Sequence, residues 1–255
     1  MINDIYNYRE LLKTSVKKEI RGKYKGSFLG VLWSFVNPLL TTLVYAIVFP
    51  FILRNSQEHY VTFIVIGQLP WAWFTNTISQ GTSTFLANGG ILKKVYFPRV
   101  ILPLAIDISG LINFLISCII IGIFLFFSGI GYSLNILYLP IIFVIQFILQ
   151  LGIILITGAI DVYVRDLEYI INFFIQMLFY ATPILYSIDT FPVWVQKILR
   201  LNPMATIIES YKDIFFYKQS PNLIMLGIVF LFSIVLLFIA IKVFNKLEKG
   251  FAEEL

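Results

Sequence analysis

The chain has 255 residues, of which 59% are apolar and only 13% charged, with 25 Phe, 14 Tyr and a mean hydropathy of +0.87. That composition excludes an ordinary soluble domain, which carries about 25% charged residues; the wealth of aromatics excludes disorder, and the single cysteine, Cys118, excludes a disulfide scaffold. An all-α integral membrane protein remains, and its net charge of +5 is read against membrane topology, with no nucleic acid as partner.

The first 25 residues place Ile5, Tyr8, Leu12, Val16 and Ile20 at steps of three and four, and Arg9, Lys13, Lys17 and Arg21 at strict steps of four. This spacing predicts an amphipathic helix over 1–25 lying at the cytoplasmic interface in contact with membrane lipids. The basic stripe suits an anchor on anionic lipid; it also suits the border of an entrance for an anionic substrate, with Lys23 and Lys25 nearest the membrane.

A bilayer core needs about 20 apolar residues of helix, so the runs without Asp, Glu, Lys or Arg measure the spans. Gly26 to Leu53, His59 to Leu92, Tyr169 to Ile188 and Gln219 to Ile241 each fit one crossing. Ile108 to Ile160 is 53 residues, too long for one, and Ser128, Gly129, Gly131, Ser133 and Asn135 divide it into a hairpin. Six transmembrane helices are expected near 28–53, 61–84, 104–127, 136–161, 169–187 and 221–243. Helices are the only choice here, because lipid offers no partner for an open backbone and barrel strands would alternate polar and apolar residues.

An even number of spans puts both termini on one side. That side would carry 14 Lys and Arg against 5 on the other, Arg54, Lys197, Arg200, Lys212 and Lys218, which makes it the cytoplasm, with 244–255 as a cytoplasmic tail. The localisation expected is therefore the cytoplasmic cell membrane. No cleaved signal peptide is expected, because charge runs through the first 25 residues.

Two segments outside the spans stand out. In 88–100, two glycines lead into Ile91, Leu92, Lys93, Lys94, Val95, Tyr96, Phe97, Pro98 and Arg99. Leu102-Pro103 closes the segment, so a helix of about two turns is expected, held crosswise between spans 2 and 3. It reads either as a docking handle or as an interfacial loop whose cations enforce topology. On the other side, Asn202-Pro203 divides 187–220 into two short amphipathic pieces. Pieces this short re-enter the bilayer against protein or lie in the interface. Trp194 and Tyr211 would then belong to an outer lid or to an aromatic belt, and Trp71 and Trp73 beside Pro70 read as belt residues.

The chain has no Gly-x-x-x-x-Gly-Lys-Ser/Thr loop, so it does not hydrolyse nucleotide in the P-loop manner, and its one histidine, His59, leaves no Ser/His/Asp arrangement and no metal cluster. Nothing points to an enzyme. Asp107 lies near the cytoplasmic start of span 3, and Asp161 and Arg165, four apart, predict an ion pair at the end of span 4. Aromatic and polar residues of spans 1 and 5, Trp33, Asn37, Tyr45, Phe174 and Tyr180 among them, could stack and hydrogen-bond sugars or could face lipid.

Several strings, taken in order, resemble the type-2 ABC exporter permeases for polysaccharides and polyol phosphates, the exporters of O-antigen, capsule and teichoic acid. They are Tyr24-x-Gly26-Ser27-x-Leu29-Gly30-x-x-Trp33 with Asn37-Pro38, Gly67-x-x-Pro70-Trp71-x-Trp73-Phe74, and Lys93-Lys94-x-Tyr96-Phe97-Pro98-Arg99. Arg165-Asp166-Leu167 and Thr182-Pro183-Ile184-x-Tyr186 followed by Asn202-Pro203 complete them.

The resemblance implies a half-transporter: two copies of this chain with two copies of a separate cytoplasmic ABC ATPase that binds ATP and Mg. Closure of the ATPases would be transmitted through a coupling helix within 88–100, at Leu92, Lys93, Lys94, Tyr96, Phe97, Pro98 and Arg99, and through Arg165 and Asp166. Spans 1 and 5 would line the pathway, and helices in 188–218, with Trp194, Asn202, Pro203 and Tyr211, would gate its outer end. Lys23 and Lys25 would meet the pyrophosphate of a polyprenyl-linked glycan. A drug or lipid permease would share this architecture; a membrane enzyme or a scaffold of lipid-linked glycan metabolism is the reading of another class.

Overall fold

The computed structural model describes residues 6–22, 33–53 and 58–255, and no strand occurs among them. Helices occupy the five uncharged runs, two of them in the longest: α2 (Trp33–Leu53), α3 (Tyr60–Thr82), α4 (Ile101–Phe127), α5 (Leu139–Asp161), α6 (Leu167–Tyr180) and α9 (Leu223–Leu247). An interface-type helix, α1 (Arg9–Gly22), precedes them, and two short helices, α7 (Val193–Leu199) and α8 (Pro203–Lys212), lie between α6 and α9. The helices at Ile101–Phe127, Leu134–Asp161 and Leu223–Gly250 are long and apolar enough to cross a membrane. The protein is an integral membrane protein.

Helix α3 is the hub, packing against α2, α4, α5, α6 and α8. Enclosed on all sides, it buries aromatic and β-branched residues at nearly every position, among them Phe63, Ile64, Ile66, Trp71, Trp73 and Phe74. The belt reading of Trp71 and Trp73 is therefore corrected: both are 4% exposed, and Trp73 stacks on Phe114 of α4 with centroids 5.1 Å apart. Small residues let the helices approach. A Cβ on Gly158 of α5 would stand 2.9 Å from the backbone oxygen of Gly81 in α3, and Thr82 donates to Thr157 across the same contact at 2.9 Å.

The expected break between spans 3 and 4 is present. Gly129 and Gly131 hold φ of +72° and +74°, the left-handed region that glycine enters without steric cost. Fifth in line, α6 is shorter than expected, ending at Tyr180 and not near 187. Thr182-Pro183 stops it, because the residue before proline is driven out of helical geometry. Its 14 residues reach about 21 Å, less than a hydrocarbon core.

The 88–100 segment is also less helical than expected. Only Gly89–Leu92 is helix; a turn follows, and residues 96–98 are irregular. Pro98 again accounts for it, since it removes a backbone donor and biases Phe97 toward extended geometry. Nor is the C-terminal segment a free tail: α9 runs four residues past the expected end of span 6, and Phe251–Glu254 forms a further helical turn.

Candidate functional site

At one end of the bundle, α1, the 83–100 loop, the α5–α6 turn and the C-terminal segment share a second apolar core. Phe85, Leu92, Phe97, Val100, Val162, Phe244 and Phe251 are buried in it, with Leu11 of α1 and Tyr8 just before that helix packed against it. The residues expected to couple to a partner divide accordingly. Leu92 and Phe97 point inward, at 8% and 7% exposure, so neither is a contact surface in this conformation. Tyr96 is 92% exposed, Ile91 and Val95 are exposed beside it, and Lys93 and Lys94 lie in the same exposed run. The outcome is a tip that is basic and aromatic outside and anchored by Leu92 and Phe97 inside.

Arg99 is partly buried, donates through Nη1 to the carbonyl of Glu248, and lies 5.2 Å from the ring centroid of Phe251. Lys18 of α1 donates to Asn88 Oδ1 at 2.9 Å, tying the interface helix to the start of the loop. Between Tyr8, Tyr96, Pro98, Arg99, Glu248 and Lys249 lies a cavity of about 540 Å³ open to the surface. Arg165 and Asp166 are exposed at the same end. The expected Asp161–Arg165 ion pair does not form. Helix α5 ends at Asp161, so four-residue spacing no longer puts the two on one face, and Asp161 Oδ1 instead accepts from the backbone N–H of Glu168 at 3.1 Å. It thereby satisfies an orphan donor in the first turn of α6.

At the opposite end, the non-helical backbone after α6 is enclosed by α3 and α8. Lys212 of α8, 3% exposed, donates through Nζ to the carbonyls of Pro183, Ile184 (3.1 Å) and Tyr186 (3.4 Å), and lies 3.4 Å from the centroid of Phe63. Tyr60 donates to the carbonyl of Leu185 at 2.7 Å, and Asn202 Nδ2 to Thr182 Oγ1 at 2.8 Å. These side chains supply the donors that a helix would otherwise provide to this enclosed, non-helical backbone. Asn202 also caps α8, its Oδ1 accepting from Met204 N at 3.0 Å, with Pro203 in the first turn.

Helix α8 is a core element. Met204, Ile207, Ile208 and Tyr211 are buried, and Tyr211 donates to Gln146 Oε1 at 3.0 Å while Gln146 Nε2 donates to the carbonyl of Pro70 at 3.0 Å. Tyr211 is thus removed from the aromatic belt. Trp194 on α7 is 67% exposed and keeps that possibility. A cavity of about 290 Å³ beside Lys212 is lined by Tyr186, Asp189, Glu209, Asp213 and Tyr217. Burial pushes the Glu209 carboxyl up, against the pull of Arg200 at 3.7 Å, and burial likewise raises Asp213.

Between the two ends, aromatic rings join α2, α3 and α6: Tyr45 meets Phe49 (5.5 Å) and Phe179 (5.6 Å), and Phe179 meets Trp71 (6.0 Å). Of the five pathway candidates, Tyr45 is half-buried in this set, whereas Trp33, Asn37, Phe174 and Tyr180 are exposed. Helix α6 buries only Ile175 and turns Tyr169, Phe173, Phe174, Met177 and Tyr180 outward. Lys23 and Lys25 lie outside the described residues. Asp107 is more enclosed than its place near the helix start suggests, at 0% exposure.

Sequence reasoning missed Lys212, counting it only as an outer cation, and missed Phe251. The signals were present: Lys212 sits four residues after Ile208 on an otherwise apolar face, and Phe251 is a lone aromatic among Glu248, Lys249, Glu253 and Glu254.

Long apolar helices with an anchored basic and aromatic tip at one end and a buried short helix at the other define the architecture of an integral membrane bundle. The description of the ABC-2 type transporter family matches residues 10–216, and the chain belongs to that family. It is 33% identical over 257 residues to the O-antigen export system permease protein RfbA of Myxococcus xanthus, covering 100% of this chain and 99% of that protein. The O-antigen export system permease protein RfbA of Klebsiella pneumoniae is 34% identical over 245 residues, 96% of this chain and 94% of its own length. A more distant similarity, 19% over 236 residues, links 91% of the chain to 92% of the polysialic acid transport protein KpsM of Escherichia coli.

Proposed function

We propose that this chain is the permease subunit of an ATP-driven exporter that moves a polyprenyl-pyrophosphate-linked polysaccharide across the cytoplasmic membrane. The observation that carries the reading is the end-to-end similarity to permeases named for O-antigen export. In this reading α2, α3, α4, α5 and α9 cross the bilayer as helices, α6 completes its crossing with the irregular chain that follows it, and both termini are cytoplasmic, which agrees with α1, the 83–100 loop and the C-terminal segment sharing one core.

Two copies of the chain pair with two copies of a cytoplasmic ABC ATPase, which binds ATP and Mg. The exposed Tyr96 with Lys93 and Lys94 meets the ATPase; Leu92, Phe97 and Arg99 hold the tip in place; Arg165 and Asp166 add a second contact. Glycan passes between α2 and α6 of the two copies, over Trp33, Asn37, Tyr45, Phe174 and Tyr180, whose rings match the C–H faces of sugars. Lys23 and Lys25 receive the pyrophosphate. Helices α7 and α8, hinged at Asn202-Pro203, gate the outer end, with Trp194 on the exposed piece and Tyr211 in the fixed one.

The test is co-purification of the chain with a co-expressed ATPase encoded beside it, followed by ATP hydrolysis in liposomes with and without a polyprenyl-pyrophosphate glycan. A two-plus-two complex stimulated by that lipid is expected. Recruitment of no ATPase would overturn the reading and return the scaffold or enzyme alternatives; stimulation by a drug or a plain phospholipid instead would change the substrate class.

A further inference from the structure

The C-terminal segment from Leu247 lies beyond the residues that the family description matches, yet it is locked into the end of the bundle that carries the coupling tip. Phe251 is 0% exposed, with ring centroids 5.0 Å from Phe85, 6.1 Å from Phe244 and 6.3 Å from Tyr163. Arg99 lies over its other neighbours, donating to Glu248 and 5.2 Å from the Phe251 centroid. Tyr163, in the turn between α5 and α6, donates to the carbonyl of Leu247 at 2.7 Å, and Gly250 packs against its hydroxyl so closely that a Cβ there would collide. A Cβ on Gly89 would stand 3.8 Å from Leu255 Cβ, so the last residue reaches the start of the coupling segment.

Two separate loops, 88–100 and 162–166, are thus fastened to one short piece of chain. We infer that residues 247–255 are a positioning element for the ATPase-facing surface: through Arg99, Phe251 and Tyr163 they fix the 88–100 tip and the α5–α6 turn as one rigid block, so that movement of the ATPase reaches α4, α5 and α6 together. This rests on the export reading above. The element stays docked through the transport cycle; it is a strut and not a latch that opens.

The geometry supplies a direct test, because a Cβ separation of 3.8 Å is what a disulfide requires. In full-length protein carrying Cys118→Ser, the pair Gly89→Cys and Leu255→Cys is expected to oxidise readily. Phe251→Ala should loosen the block, raising tryptic cleavage at Lys93 and Lys94 of the permease alone by about tenfold through easier local opening, and oxidation of the cysteine pair should restore protection. In the reconstituted complex, Phe251→Ala should leave ATP hydrolysis in place while glycan moved per ATP falls about fivefold, with the disulfide restoring the ratio, which a loss of packing alone would not produce. Arg99→Lys, which keeps a donor, should be milder than Arg99→Ala.

Failure of the cysteine pair to oxidise, or unchanged proteolysis in Phe251→Ala, would overturn the strut without touching the export reading, since neither experiment uses the ATPase. An oxidised transporter that hydrolyses ATP but moves no glycan would overturn it too, showing that the segment must release.

Discussion

Lys212 donates from Nζ to the carbonyl oxygen of Ile184 at 3.1 Å, joining the last residue of the buried helix α8 to backbone that follows α6 as irregular chain. The pair explains how α6 can be only 14 residues long. Helix supplies its own backbone partners; beyond Tyr180 they come from Lys212, Tyr60 and Asn202. Replacing Lys212 with Met should therefore strand carbonyls in an apolar setting and cost about 3 kcal/mol. Thermal unfolding in detergent checks this, with a clear fall in Tm expected.

Gly158 and Gly81 set the spacing of α5 and α3. Gly158→Val would drive a branched side chain into the Gly81 carbonyl and the ring of Phe85, so the helices would have to separate. Overpacking of this kind costs about 1–3 kcal/mol or more. Lower expression of monodisperse protein is the expected outcome, whereas Gly227→Ala, with open space around it, should behave as wild type.

Asp161 and Arg165 separate a cap from an ion pair. Asp161→Ala should destabilise by about 1 kcal/mol, the usual worth of a capping side chain, and Asp161→Asn, which keeps an acceptor for Glu168 N–H, by less. Arg165→Ala should change stability by less than about 0.5 kcal/mol, as expected of an exposed residue. Equal losses for Asp161→Ala and Arg165→Ala would restore the ion pair.

The 88–100 loop yields a similar division. Phe97 is buried with Leu92 and Phe251, so Phe97→Ala should cost about 3 kcal/mol through cavity formation. Tyr96→Ala should leave Tm unchanged, because its side chain touches almost nothing in the chain, while ATP-driven transport falls. Comparing Tm with transport for the two variants checks the assignment.

Much of the fold was legible because charge is so expensive in lipid that the uncharged runs mark the helices directly. The hairpin break was legible through Gly129 and Gly131, which only their backbone freedom explains. What the runs could not show is where a helix stops inside an apolar stretch. Thr182-Pro183 and Phe97-Pro98 each cut one short, a local steric effect that hydropathy ignores. Asp161 paired with Glu168 and not with Arg165 because the helix ended first. Lys212 was read as an exposed cation since cations normally are; only packing against Phe63, Gly67 and Ile184 reveals its role. Tyr96 and Phe97 are adjacent and chemically alike, and nothing in the sequence tells which faces the core.

The most direct measurement is glycan transfer in proteoliposomes holding the chain and its ATPase with the nucleotide sites outside, supplied with a polyprenyl-pyrophosphate polysaccharide. The account predicts that glycan appears in the lumen only with ATP and Mg, and that Tyr96→Ala suppresses it in a protein of unchanged Tm. Glycan entry without nucleotide, or undiminished ATP-driven transfer in Tyr96→Ala, would contradict an export permease driven through this loop.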